Sequence, residues 1–405
     1  MIGAAAGLTA VLTIVGVGQA LVSAQLVAAC ARRPPRDPAN RPPVTVLKPL
    51  HGDEPLLEAA LTTLCRQHYP DWQIVFGVGD QADPAVEVVR RLQCRFPDVD
   101  ITLVIDATVH GANPKVSNLL NMMAAARHDV LVIADSDVHA RPDYLDRLVS
   151  ALEPPEVGLV TTLYAGLPLL PATLPGRLGA TQITHSFLPA AVLARAFGRQ
   201  DCLGATMCLR RQDLAGIGGF HALVDHLADD NVLGRRIATL GLRVELAQTV
   251  PLTTVPEARL RALFQHELRW ARTIRSLEPA GFAASILQYP LAWGLLTIAL
   301  AGGAIWSVGL FMIGWVLRAV AALGVDAALT PLWTDEGGTG QESALAFSCP
   351  VWLLPLRDIL SMTVTLASYG GRRVVWRGYG LRADTPPRSA QEPPKLRPFE
   401  GTKVR

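Results

Sequence analysis

Thirty residues without one charged side chain, Ile2 to Ala31, set the first limit on what this chain can fold into. About twenty apolar residues suffice to cross a bilayer, and a run placed in lipid is helical because a helix satisfies its own backbone N–H and C=O groups. A cleaved signal sequence would carry a basic start and a shorter apolar core, so residues 1–31 read as an uncleaved transmembrane anchor. Arg32, Arg33, Arg36 and Arg41 follow directly. By the positive-inside rule they put the amino terminus outside and the body of the protein in the cytoplasm, at the inner membrane of a multi-pass protein. Prolines at 34, 35, 38, 42 and 43 make residues 32–43 a stiff, non-helical linker.

Composition agrees with a membrane protein: 405 residues are 50% hydrophobic, with a mean hydropathy of +0.28. A net charge of +2 offers no basic field for nucleic acid. Cys30, Cys65, Cys94, Cys202, Cys208 and Cys349 show no C-x-x-C pairing and read as free thiols rather than a zinc site.

From Val44 to about residue 282 the pattern alternates between strand and helix. VTVLK is a strand, EPLLEAALTTLC a helix and QIVFGVG a strand ending near Asp80 and Asp83. A helix from Pro84 to Cys94, a strand from Ile101, a helix from Lys115 to Arg127 and the strand at Val130 follow. That order predicts an α/β fold with a parallel, doubly wound sheet. Beyond it come a helix to Leu152, the strand VGLVTT and a proline-containing loop from Leu167 to Gly176. DCLGATMCLRR reads as strand or tight loop, HLADDNVLGRRIATLG as helix and LRVELAQ as strand.

The chemistry concentrates at VLVIADSDV, where an apolar strand stops at Asp135, Ser136 and Asp137. Ligands of open α/β sheets lie beyond the carboxyl ends of strands, so these acids can face a cleft. A hard cation such as Mg²⁺ or Mn²⁺ binds one or two carboxylates together with substrate phosphates, which suits a nucleotide diphosphate. The plainer alternative is a polar turn. Asp80 and Asp83 open on the same edge, where a carboxylate can accept from a uracil ring or a ribose hydroxyl; Asp83 is equally placed to cap the helix at Pro84. Asp229 and Asp230 either complement a helix N-terminus or supply a base.

Ala283 to Leu323 carries only Arg318 as a charge and has Gly302-Gly303 near its middle, which predicts two helices and a tight hairpin. Ala344 to Tyr369 carries Arg357 and Asp358 at its centre, a pair that must face protein or each other. Arg372, Arg373, Arg377 and Arg382 then favour the cytoplasm, so residues 283–371 are expected to make two crossings plus a re-entrant or interfacial segment. Residues 372–405 form a basic tail, disordered from Ala383.

Asp83, Asp135, Asp230 and the run Gln265-His266-Glu267-Leu268-Arg269-Trp270 resemble the D, D, D, QxxRW signature of family 2-type, membrane-attached glycosyltransferases. VLKPLHG from Val46, DPA from Asp83, NPKVSNL from Asn113 and CLGATMCLRR resemble more closely the ceramide glucosyltransferase (family 21) group, and within it the bacterial hopanoid biosynthesis-associated enzymes. The resemblance spans the chain to about Gly380. It implies a GT-A fold, a Mg²⁺ or Mn²⁺ ion, a UDP-sugar donor and inversion at the anomeric carbon. Lys48, Asp80, Asp83, Lys115, Asn118, Asp135, Gln265, Arg269 and Trp270 would then bind the donor, with Asp135 and Asp137 at the metal. Asp230 would be the base, with Asp229 the alternative, and His185 and Trp270 would meet the acceptor. The ceramide branch has Asp-Ser-Gly where this chain has Asp-Ser-Asp, so Asp137 is either a second ligand or a support. The hopanoid branch implies UDP-N-acetylglucosamine and bacteriohopanetetrol as a membrane lipid acceptor; the ceramide branch implies UDP-glucose and ceramide. A polysaccharide synthase would demand more spans, and a non-catalytic scaffold would have no need of Asp230 with Arg269 and Trp270.

Overall fold

The computed structural model describes residues 2–334, 346–371, 373–376 and 379–382. Strands β1 (Val44–Pro49), β2 (Trp72–Val78), β3 (Asp100–Ile105) and β4 (Val130–Ala134) are the predicted β-branched runs, and all four pair in parallel. β5 (Val138–His139), β6 (Val157–Thr161), β7 (Ala165–Pro168), β8 (Thr206–Arg210), β9 (Arg243–Leu246) and β10 (Leu252–Val255) follow. The main sheet has the order β3-β2-β1-β4-β8-β6-β9. Its one departure from the parallel expectation is β8, antiparallel to both β4 and β6. Between β6 and β8 the chain runs through helices that pack against the long apolar ones instead of a crossover on the sheet face, and so returns from the other end.

Helices cover both faces, as a doubly wound sheet requires. α2 (Leu57–Cys65), α3 (Pro84–Arg95) and α5 (Tyr144–Leu152) pack on Val46, Ile74 and Val132, while α4 (Pro114–Met122) packs on Leu47, Val75 and Ile133. The alternation of these positions along each strand is the period-two pattern of a sheet buried on two sides. α6 (Leu174–Gln182), a π turn (Ile183–Phe187) and α7 (Leu188–Ala196) precede β8. α8 (Arg211–Gly216) and α9 (Asp229–Thr239) come after it. α9 begins at the predicted acids. A second, three-stranded sheet, β5-β10-β7, was not foreseen, and β7 overlaps the segment read as loop. Strands of two to four residues leave no periodicity to read.

A helical bundle, called membrane-side here for the apolar length of its longest helices, comprises α1 (Ile2–Ala31), α10 (Leu260–Leu277), α11 (Pro279–Ala284), α12 (Pro290–Leu300), α13 (Ile305–Leu329) and α14 (Leu354–Ser368). Among the described residues, three segments are long and apolar enough to cross a membrane: Ile2–Ala31, Ile305–Trp333 and Val351–Ser368. Pro279–Gln288 and Pro290–Leu300 form a pair bent by 67°. The predicted hairpin sits at Gly302 and Gly303, with φ of 63° and 76°, a backbone region that favours glycine. α1 is integral to the bundle: a Cβ on Gly16 would lie 2.3 Å from the Leu287 carbonyl oxygen, and Thr297 donates to Thr9 at 2.9 Å.

Arg357 and Asp358 face protein, as their position demanded. Arg357 is fully buried and forms a two-pronged ion pair with Glu267 of α10, at 2.7 and 2.6 Å. It also donates to the Leu178 carbonyl at 3.1 Å, and Asp358 accepts from the Leu291 N–H at 3.0 Å. The pair fastens the helix carrying the QHELRW run to α14. Removing one partner strands a buried charge, so Glu267→Ala is expected to cost about 3–5 kcal/mol, whereas Glu267→Leu with Arg357→Met should restore most of it. Unfolding of detergent-solubilised protein measures both; an unchanged midpoint for Glu267→Ala would contradict the assignment.

Candidate active site

The acidic cluster is built where β4 ends. Asp135 is tied by its own N–H to the Ala205 carbonyl at 3.1 Å, and the Val138 N–H donates to the Asp135 carbonyl at 3.2 Å. This turn leaves the Asp135 carboxylate 39% exposed. Opposite it stands Lys115, the second residue of α4, whose Nζ lies 2.7 Å from Asp135 and 3.7 Å from Asp229. Asn113 explains the placement: its side chain caps α4 by accepting from Val116 N–H at 3.2 Å, while its amide donates to the His226 carbonyl at 2.8 Å. The motif NPK therefore reads as cap, proline at the first helical position, then cation. Burial opposes the Lys115 charge, but Asp135 and Asp229 outweigh it and hold the ammonium above the ordinary lysine range.

Asp137 is more committed. Burial and then Asp135 push its carboxyl up to about 6, against the Thr253 hydroxyl, which donates to it at 2.5 Å. Ser136 is hydrogen-bonded to Glu54, a residue the sequence reading did not single out. Lys48, expected at the donor, is instead fully buried beneath these acids and donates to the Val138 carbonyl at 3.3 Å. Burial lowers it to about 8 while Asp137, Asp135 and Glu54 pull the other way. Its reach is electrostatic.

Asp230 lies at the start of α9, partly exposed, with one oxygen accepting from the Asn231 N–H at 2.7 Å. Its other oxygen faces Gly204, where a Cβ would come within 2.7 Å. That glycine, in the CLGAT run, is needed for clearance. Burial first, and Asp229 second, push Asp230 up to about 7. Asp229 is the more engaged neighbour, held by Lys115 and within 3.4 Å of the Asn113 amide.

The remaining residues divide. Asp83 does cap α3, accepting from Ala85 N–H at 2.9 Å, and it also accepts from Gly52 N–H at 2.9 Å. It thereby shapes the VLKPLHG loop. Asp80 is exposed and accepts from Ala82 N–H. Asn118 donates to the Gly77 carbonyl at 2.8 Å, with its Oδ1 unpartnered among the described residues. On α10, Trp270 packs with Tyr164, Phe187 and Val255, and Arg269 is partly buried. Gln265 is exposed, and His266, three residues before Arg269, makes the edge-on contact with Trp270 at 4.4 Å and bonds Glu257. The Q-to-R spacing in this chain is one residue longer than QxxRW, which is the signal that could have pointed to His266. His185 is buried in the membrane-side bundle, its Nε2 2.7 Å from Asp326.

Among the described residues, no group of three or more His, Cys, Asp or Glu side chains is placed to hold a metal ion. A cation shared with a diphosphate needs only one or two. Asp135, exposed and already facing a cation in Lys115, fits that demand; Asp137 has one oxygen bound to Thr253.

The family model of glycosyl transferase family 21 matches residues 8–388. The chain belongs to glycosyl transferase family 21. Ceramide glucosyltransferase 1 of Caenorhabditis elegans is 23% identical over 63% of this chain and 54% of its own length. The N-acetylglucosaminyltransferase of Rhizobium meliloti is 24% identical over 72% of this chain and 68% of its own. The chain thus spans little more than half of the first of these relatives. A mannosyltransferase from Pyrobaculum calidifontis, solved with GDP-Man and Mn²⁺, is similar in structure: TM-score 0.51, 22% identity, 90% of this chain and 99% of that one. The family 21 chain therefore has the GT-A fold.

Proposed function

We propose that this family 21 protein transfers a sugar from a UDP-sugar to a hydroxyl of a membrane lipid, with inversion at the sugar carbon. The observation that carries the proposal is the cluster in which Lys115 joins Asp135 of the β4 edge to Asp229, with Asp230 next in the chain, while Trp270 packs with Tyr164 on a helix fastened to α14. Charged groups suited to a diphosphate and a carboxylate suited to a proton thus share one site.

Asp135, supported by Asp137, would hold a divalent ion, which stabilises the negative charge left on UDP as the sugar departs. Lys115 shifts from its bridge towards the diphosphate. Arg269 offers a planar fork to phosphate, and Trp270 and His266 close over it, with Gln265 at the rim. The Asp83-held loop, Asp80 and Asn118 border the nucleoside. Asp230 takes the proton of the attacking hydroxyl, since an alcohol is a poor nucleophile until it loses that proton. The acceptor reaches it past Trp270 and Tyr164, with His185 steadying the π turn alongside. The arginines at 32, 33, 36 and 41 support a site on the cytoplasmic side of the inner membrane.

A base at about 7 sets a pH profile. Below that value Asp230 is protonated and transfer should fall about tenfold per pH unit; above it the rate should level off. A profile flat from pH 5 to 8 would contradict Asp230 as base.

The finer reading is UDP-N-acetylglucosamine and bacteriohopanetetrol, with UDP-glucose and ceramide as the second reading, favoured by the ceramide glucosyltransferase relatives. Incubating purified protein with each labelled UDP-sugar and a bacterial lipid extract, followed by mass analysis of the lipid phase, separates them. A hexosamine on a polyol lipid supports the first; a hexose on a sphingoid lipid supports the second.

A further inference from the structure

The loop from β1 to α2 enters the mechanism above only through its Asp83 end, yet it touches both neighbours of β1 in the sheet. On the β2 side, the Leu50 N–H donates to the Gly77 carbonyl at 2.8 Å, and the Gly52 N–H reaches both oxygens of Asp83, at 3.0 and 2.9 Å. On the β4 side, the Ser136 hydroxyl donates to the Glu54 carboxylate. Ser136 is only 7% exposed and stands between Asp135 and Asp137 in the chain.

The loop is set firmly. The Leu57 N–H donates to the Glu54 carbonyl at 3.1 Å, which closes a turn with Pro55 and Leu56 at its centre. Leu56 has φ 59° and ψ 16°, left-handed backbone that favours glycine and is costly for leucine. Its side chain is exposed, so packing of that side chain does not hold it there. The two ends do: Gly52 and Glu54 before the turn, and after it α2, whose Leu57, Leu61 and Leu64 lie in the core. Strain of this kind persists only where the surroundings over-determine the backbone. Charge alone gives no reason for a third acid at this place. Glu54 bears on Asp137 as one carboxylate on another, and Lys48 beneath them is the offsetting cation. What Glu54 supplies is its bond to Ser136.

We propose that Glu54 is a positioning residue: by holding Ser136 it fixes the turn that aims Asp135 and Asp137, and through Gly52 it keeps that turn in register with Asp83. The inference rests on the reading of Asp135 as the holder of a divalent ion beside UDP. Carboxylates already set in place lose less freedom when an ion and a diphosphate arrive, and bind them more tightly for that reason.

The test uses the full chain in detergent and reads two quantities: amide hydrogen exchange at residues 135–138, and UDP affinity with Mn²⁺ and with chelator. Glu54→Ala should speed exchange at the turn, where the Asp135 N–H is bonded to the Ala205 carbonyl and the Val138 N–H to the Asp135 carbonyl. It should lower UDP affinity in Mn²⁺ about tenfold, the worth of one hydrogen bond to a charged group, and leave affinity in chelator unchanged. Glu54→Gln should keep most of both, because its amide oxygen can accept the same bond. Ser136→Ala should match Glu54→Ala, and the double variant should be no worse than either; should Glu54→Ala fail to fold, Ser136→Ala carries the test. Unchanged exchange at the turn in a folded Glu54→Ala or Ser136→Ala overturns the proposal, as do additive losses in the double variant. Loss of the Mn²⁺ effect in Glu54→Gln with exchange unaltered would make Glu54 a ligand of the ion and overturn it too. No gain from Mn²⁺ in the unaltered protein would instead overturn the reading of Asp135, and exchange at the turn then decides on Glu54 by itself.

Discussion

Asp230→Asn is expected to lower glycosyl transfer by about two to four orders of magnitude, the usual span of general base catalysis. The substitution is nearly isosteric, and the amide oxygen can keep the hydrogen bond from the Asn231 N–H. Asn serves a helix start about as well as Asp, so folding should change little. UDP affinity should also survive, because the groups proposed to hold it lie at Asp135, Lys115 and Arg269. Asp229→Asn should behave differently. It weakens the Lys115 and Asn113 contacts and so loosens the start of α4. Its expected mark is poorer donor binding. Loss of transfer in Asp229→Asn alone, with UDP bound normally, would exchange the two roles.

Asp135→Ala should remove transfer by several orders of magnitude, because the leaving diphosphate would lose the counter-charge held at that carboxylate. It also frees Lys115 from its shorter ion pair, leaving the 3.7 Å approach to Asp229. Asp137→Ala should be milder, given that one of its oxygens already serves Thr253. The measurements are transfer rates of the three proteins with and without excess chelator. A near-normal rate in chelator would remove the divalent ion from the account.

Much of this was legible in the sequence for a definite reason. Runs such as VLVIA are buried on both faces, so they stand out as unbroken apolar stretches whose ends mark the edge where acids collect. Asp135 is picked out in that way, whereas Asp230 stands out only as an acid at a helix start and through the D, D, D, QxxRW resemblance. Lys48 was not placed correctly by its motif, because a lysine at a strand end reads the same whether it points into the cleft or beneath it. The Arg357–Glu267 pair was foreseen only as a need for protein neighbours; its partner lies 90 residues away. The four-residue offset that brings His266 against Trp270 emerges only once α10 is a helix in space. Asp83 could cap or bind, and the cap is what its side chain makes.

The most direct test of the central claim is a single-turnover reaction of the full chain in a lipid bilayer with UDP carrying a labelled sugar. The label should move into the lipid phase, joined through an inverted glycosidic bond, and Asp230→Asn should leave it on UDP while still binding the nucleotide. Label recovered only as free sugar, or lipid labelled equally by Asp230→Asn, would contradict the account.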